Sequence, residues 1–162
     1  MTVLDDVRQV LAQVTDPEIP VLTIDDLGVL REVQLDGERV VVTITPTYSG
    51  CPAMDEIRAD ITTALQAAGW ADVEVRMVLS PAWTTDWMSA DGRRKLREYG
   101  IAPPGPRESG PVLVQIGRRP SVACPQCDSA DTEELTRFGS TSCKSMWRCR
   151  SCREPFDHFR VH

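Results

Sequence analysis

Two C-x2-C pairs, Cys124-Pro125-Gln126-Cys127 and Cys149-Arg150-Ser151-Cys152, are separated by 21 residues in a chain of 162. Each pair bends the chain so that two thiolates converge, and two such knuckles complete a tetrahedron around one metal ion. Residues 132–138 and 144–148 can supply short strands between them. The segment from residue 122 onward therefore reads as a small β zinc ribbon, with zinc as the structural ion. A rubredoxin-like iron or an Fe–S cluster uses the same ligand type. Bound metal would supply most of the folding free energy of so small a piece.

Five of the six cysteines fall within residues 124–152. In a reducing compartment such clustering favours metal ligation over disulfides. Cys143 lies inside this cluster but outside the four-ligand count. It reads as a buried or bystander thiol, or as a redox-active residue or alternative ligand. His158 and His162 read as surface residues.

The remainder is long enough for one ordinary domain. Residues 2–14 carry Val3, Leu4, Val7, Val10, Leu11 and Val14 at helical spacing, with Thr2 as N-cap. Residues 28–35 and 39–45 flank Asp36-Gly37, a hairpin signal. A helix over 52–68 is predicted from Met54, Ile57, Ile61 and Leu65, with Gly69 as its stop. Val73, Val75, Met77 and Leu79 alternate as a third strand, parallel to the one before the helix. Ser89 caps a short helix over 90–99. The fold class is α/β (α+β), a compact α-β-β-α-β domain over 1–101, a Pro/Gly-rich linker over 102–121 with a candidate strand at 112–116, and the ribbon over 122–162.

Charge narrows the function classes. Residues 1–116 carry 10 Lys and Arg against 18 Asp and Glu, whereas residues 117–162 carry 8 against 6. An acidic body argues against general nucleic-acid binding, which needs clustered cations. The tail keeps that reading open through Arg118, Arg119, Arg137, Lys144, Arg148 and Arg150. No apolar run approaches the roughly 18–20 residues needed to span a bilayer, and the N-terminal residues lack a basic region ahead of an apolar one. A cytoplasmic location without membrane attachment is expected.

Cys51 is the isolated thiol. It sits where the turn at Gly50 meets the predicted 52–68 helix, a position that favours thiolate. Such a thiolate suits nucleophilic attack or a soft metal, and a half-buried capping residue is the plainer reading. Thr45, Thr47, Tyr48 and Ser49 place hydroxyls around it that can bond an anion or cluster sulfur. Asp16 and Glu18 lie in a loop that can reach the same end of the sheet, and residues 83–88 can cover it. No His precedes residue 158, so a Cys–His dyad within the main domain is unavailable.

Four strings carry a family resemblance: Asp16-Pro17-Glu18-Ile19-Pro20, Thr45-Pro46-Thr47-Tyr48-Ser49-Gly50-Cys51-Pro52, Trp83-Thr84-Thr85-Asp86-Trp87-Met88, and Phe138-Gly139-Ser140-Thr141 with Cys143-Lys144. Over nearly the full chain they resemble the PaaD family of bacterial phenylacetate catabolism, associated with the multicomponent phenylacetyl-CoA epoxidase. The first hundred residues are similar to the SufT-like domain of Fe–S cluster assembly factors. The resemblance implies an accessory protein, not an enzyme, that matures or delivers an Fe–S or iron centre to the epoxidase. It makes Cys51 the reactive or cluster-coordinating thiol, with a transient Fe–S cluster as cargo, and carries the family's Asp-Pro-Glu motif onto Asp16, Pro17 and Glu18.

The implied partners are epoxidase subunits or the Fe–S reductase of that complex, the Fe–S assembly machinery, and a second copy of the chain. One thiolate cannot complete a cluster site, so a dimer, a small thiol or a client must add ligands. The competing reading is a structural or adaptor subunit of the epoxidase. A nucleic-acid-binding ribbon and a thiol enzyme using Cys51 are further alternatives.

Overall fold

The computed structural model describes residues 2–107 and 121–162. The strand expected at 112–116, together with Arg118 and Arg119, lies outside them. The chain divides into two compact units, 1–92 and 93–162.

Unit 1 opens with α1 (Val3–Leu11), shorter than the 2–14 expected. Its start is a reciprocal capping box: the Asp5 amide donates to Thr2 Oγ1, and the Thr2 amide and hydroxyl both donate to the Asp5 carboxylate, each at 2.8 Å. These bonds hold the Asp5 carboxyl below its ordinary range. After Leu11 the backbone turns, and an isolated bridge between Thr15 and Thr23 ties the next loop together.

Strands β1 (Leu30–Asp36) and β2 (Arg39–Ile44) pair antiparallel as the hairpin expected there, but Asp36 pairs with Arg39, so the two-residue turn is Gly37-Glu38, one residue on from Asp36-Gly37. Gly37 has φ +63°, as this two-residue turn demands. Helix α2 (Ala53–Ala67) then returns the chain to β3 (Val73–Met77), which lies parallel to β2 from Val40↔Val73 to Ile44↔Met77. The sheet order β1-β2-β3 puts β2 in the centre. Its Val40, Val42 and Ile44 are fully buried, and so is Val41 on the opposite face. The stripe Ile57, Ile61 and Leu65 of α2 and Val7 and Leu11 of α1 complete the core. Burying each of these side chains contributes roughly 1.5–3 kcal/mol before chain entropy is counted.

A single turn of 3-10 helix, Thr85–Trp87, precedes α3 (Ala90–Glu98). Ser89 caps α3 as expected, its Oγ accepting the Gly92 amide at 2.8 Å.

In unit 2 the sheet order is β4-β7-β6-β5. Strands β5 (Thr132–Thr136) and β6 (Lys144–Cys149) lie where short strands were expected. Two further strands were not foreseen: β7 (Pro155–Phe159), antiparallel to β6, and the two-residue β4 (Ile101–Ala102), parallel to β7. Ala102 thereby enters a buried cluster with Cys124, Trp147, Cys149 and Phe156. The histidines also depart from expectation. His158 is half-buried with its ring edge-on to Trp147 at 5.9 Å, and burial pushes its pKa down to about 4. His162 is half-buried too, its pKa lowered by burial and then by the Arg160 charge.

Candidate metal centre and thiol loop

The two knuckles are near-copies of each other. In the first, the Cys124 amide donates to Ser129 O, the Gln126 amide points at Cys124 Sγ (3.4 Å), and Asp128 takes φ +64°. In the second, the Cys149 amide donates to Glu154 O, the Cys152 amide points at Cys149 Sγ (3.5 Å), and Arg153 takes φ +67°. A left-handed residue directly after the second cysteine lets the chain double back, so that both sulfurs of a pair face one point. The knuckles are joined through Ser129 Oγ and Ser151 Oγ, 2.7 Å apart.

The result is a four-thiol cluster of Cys124, Cys127, Cys149 and Cys152 whose sulfurs all lie within 4.8 Å of one another. Two of the spacings are 3.7 Å (Cys124–Cys152) and 3.5 Å (Cys127–Cys149). Four sulfurs about 2.3 Å from a central ion stand about 3.8 Å apart in a tetrahedron, so the donor set suits a metal such as zinc. The amides aimed at sulfur favour thiolate. The Cys152 amide, with help from Cys127 and the Ser151 amide, draws the Cys149 thiol down to about 6. At Cys152 the Glu154 amide acts the same way, but burial and the neighbouring thiols outweigh it and push the thiol up to about 12. Four thiols so close cannot all ionise without a cation among them.

Cys143 is buried elsewhere in the ribbon, its sulfur 2.9 Å from Thr141 Oγ1. It is not a member of the four-thiol cluster.

In unit 1, residues 45–51 leave the end of β2 and lead into α2. Thr45 and Pro46 are buried, Thr47 and Tyr48 half-buried, Ser49 and Gly50 exposed. Gly50 takes φ +81°. The Cys51 amide then donates to Tyr48 O at 3.3 Å, and Cys51 O accepts the Met54 amide. Cys51 is half-buried, one residue ahead of Pro52, which offers α2 no side-chain cap. Thr47, Tyr48 and Ser49 therefore share one tight loop with the thiol. Thr45 Oγ1 is fully buried and has no hydrogen-bond partner among the described residues.

Asp16 belongs to a turn of its own. Its Oδ1 accepts the Glu18 and Ile19 amides at 2.8 and 2.9 Å, and its amide donates to Leu22 O. Glu18 is half-buried beside it. The Trp-rich segment is fastened to residues 26–31. Trp83 Nε1 donates to Leu27 O, Ser89 Oγ donates to Asp26 Oδ1, and the Arg31 guanidinium lies 3.6 Å from the centre of the Trp87 ring. Val29 O in turn accepts the Thr45 amide at 2.9 Å, linking this brace to the root of the Cys51 loop. Asp26 and Gly28, the hubs of that brace, were not singled out from the sequence. The cue in the sequence is the acid pair Asp25-Asp26 and Gly28 within the otherwise largely apolar stretch from Leu22 to Leu30.

A cleft of about 360 Å³, lined by Arg148, Cys149, Arg150 and Arg153, borders the metal cluster. Glu133 engages both Arg148 and Arg150 there, which holds its carboxyl below the ordinary range. The arginines lie where a tetrathiolate centre would place negative charge.

Comparison with known proteins finds two family matches along the chain. Residues 4–77 match the family described as iron-sulfur cluster assembly protein, and residues 108–160 match the PaaD zinc beta ribbon domain. An Escherichia coli K12 protein, provisionally named as one of the subunits of 1,2-phenylacetyl-CoA epoxidase, is 51% identical over 150 residues, covering 93% of this chain and 88% of the relative. An Fe-S protein maturation auxiliary factor of Porphyromonas gingivalis is 34% identical over 94 residues, covering 57% of this chain and 89% of its own length. The crystal structure of a domain of unknown function, DUF59, from Bacillus anthracis superposes with a TM-score of 0.53 at 29% identity, covering 57% of this chain and 89% of that one. With an Fe–S assembly-type domain followed by a four-cysteine ribbon, and a relative matched along almost its whole length, the chain belongs to the PaaD family.

Proposed function

We propose that this chain is an accessory factor that matures an Fe–S or iron centre of a phenylacetyl-CoA epoxidase, with Cys51 as the thiol that handles the cargo. The observation that carries this reading is the half-buried Cys51 at a loop–helix junction, in the domain that matches Fe–S assembly proteins. A thiolate there can ligate iron or cluster sulfide-bridged iron while the client supplies the remaining ligands, and a single protein ligand makes release easy. Thr47, Tyr48 and Ser49 offer hydroxyl donors around it. Asp16 organises a separate turn, its Oδ1 accepting the Glu18 and Ile19 amides. The ribbon, metallated by its four thiolates, is a folded appendage that addresses the domain to its client.

In this reading the chain does not turn over phenylacetyl-CoA. Its partners are epoxidase subunits or their Fe–S reductase, and the machinery that supplies the cluster. Co-expression of the epoxidase with Cys51→Ser tests it. The variant should fold and bind its ribbon metal while the epoxidase comes out short of iron. Fully metallated, active epoxidase would defeat the proposal.

The second reading, an adaptor within the epoxidase complex, is favoured by the name of the E. coli relative, which assigns that protein as a subunit. Stable co-purification in fixed stoichiometry, with Cys51 dispensable, would select it.

A further inference from the structure

The boundary between the two units exposes a charge division that a cut at residue 116 obscures. Unit 1 carries 5 Lys and Arg against 16 Asp and Glu, a net −11, and unit 2 carries 13 against 8, a net +5. Each unit exposes several large apolar side chains, and on each one feature stands out by its construction.

On unit 2 that feature is Phe138, 68% exposed. Its position is built. The Phe138 amide donates to Thr136 Oγ1, and that hydroxyl donates back to Phe138 O. The Gly139 amide donates to Lys144 O at 2.7 Å, and a Cβ on Gly139 would press that carbonyl at 3.2 Å. The Arg160 guanidinium donates to Ser142 O and Arg137 O while lying 5.5 Å from the centre of the Phe138 ring. The Phe-Gly-Ser-Thr string thus holds an aromatic ring in solvent with the Arg160 guanidinium beside it.

On unit 1 the feature is a groove of about 500 Å³ between the Gly37-Glu38 turn and the chain that follows α2. Val3 (52% exposed) and Leu35 (39% exposed) line it with the half-buried Trp70. Glu38 and Asp72 stand at its rim. Asp72 is engaged by Arg39, but among the described residues Glu38 has no ion-pair partner. The groove lies at the starting ends of β2 and β3, whereas Cys51 follows the finishing end of β2.

We propose that this groove receives the Phe138 knob of a second copy of the chain. A cation-flanked aromatic ring meets an apolar groove with an acidic rim, on surfaces of opposite net charge, and this complementarity selects the second copy as the occupant. The contact is heterologous, knob to groove, and it leaves the Cys51 loop at the other end of the strand free. This goes beyond the maturation role and does not depend on it.

Sedimentation equilibrium of the full-length metallated chain, from low micromolar to near-millimolar concentration, tests the idea. The expected result is reversible self-association that weakens with added salt. Phe138→Ala and Leu35→Arg each weaken it by about tenfold or more. Both side chains are exposed, so the folds persist, which circular dichroism and metal content check. Mixing the two variants restores a complex of two chains, since one retains its groove and the other its knob. A mass of one chain at every concentration overturns the proposal, leaving the knob to its own chain or to a different protein. Association untouched by either variant, or variants that fail to complement, overturns it equally.

Discussion

The hydroxyl of Ser129 lies 2.7 Å from that of Ser151, so one hydrogen bond joins the two knuckles at their outer turns. Ser151 falls within its C-x2-C pair and Ser129 just after the other, so the contact closes only when both turns adopt their metal-gripping shape. The metal and the ribbon's small buried cluster are thus parts of one cooperative structure.

Stripping the metal should therefore unfold β5, β6 and β7 together and leave unit 1 intact. Metal binding of this type contributes on the order of 10 kcal/mol to folding of small zinc domains. Chelation followed by hydrogen exchange checks it. Amides of β6, from Lys144 to Cys149, should lose protection, while those of α2 and β2 keep theirs. Uniform loss across both units would contradict the independence of the two.

Gly28 is the position in unit 1 where backbone conformation and space both demand glycine. Its φ is +76°, and a Cβ there would lie 2.6 Å from Trp87 O and 2.7 Å from Trp87 Cβ. Neither is the movable tip of a side chain. Gly28→Ala should cost roughly 2–4 kcal/mol, combining left-handed strain with displacement of the Trp87 segment. Urea denaturation measures it. A loss below about 1 kcal/mol would mean that the brace on residues 26–31 yields easily.

His158 gives the ribbon an acid-sensitive element. Its folded pKa, about 4, lies below the ordinary 6.5, so the neutral ring is the form the fold accepts. The unfolded chain takes up the proton first as pH falls. The stabilisation is therefore complete above pH 6.5 and is lost progressively between 6.5 and 4. Allowing for partial exposure, the loss is about 2 kcal/mol. His158→Phe, which keeps a ring against Trp147, should flatten the stability profile in that window. The thiols titrate too, so the difference between the two profiles is the quantity to read.

Much of this fold was legible from local patterns. The hairpin at Asp36-Gly37, the stripe of α2 and the paired knuckles each combine a period with a punctuation residue, and the structure follows them to within a residue at the hairpin turn, which falls on Gly37-Glu38. What escaped was non-local. β7 is five residues opening on a proline and following directly on a knuckle, and it is a strand because β6 and β4 flank it. β4 has only two residues, too few for any alternation. His158 is sheltered by Trp147 from the neighbouring strand, a register relation that composition does not carry. The same holds for the brace, where Trp83 reaches Leu27 across 56 residues and Ser89 reaches Asp26 across 63. In the thiol loop, Gly50 and Pro52 marked the junction, but nothing in the string distinguished the buried Thr45 from its more open neighbours.

Thr45 separates fold from function in that loop. Its amide is satisfied by Val29 O, while its hydroxyl is buried at 1% exposure with no partner among the described residues. An unpaired buried hydroxyl costs free energy, so Thr45→Val, equal in shape, should leave stability unchanged or raise it by up to about 1 kcal/mol. If the hydroxyl serves only the fold, iron loading of the client should match wild type. If it serves cargo held near Cys51, the variant should be at least as stable and yet load the client poorly. Denaturation midpoints and client iron content, measured on the same preparation, distinguish the two. A large loss of stability would instead show that the hydroxyl has a bonding partner, and would remove Thr45 from the functional argument.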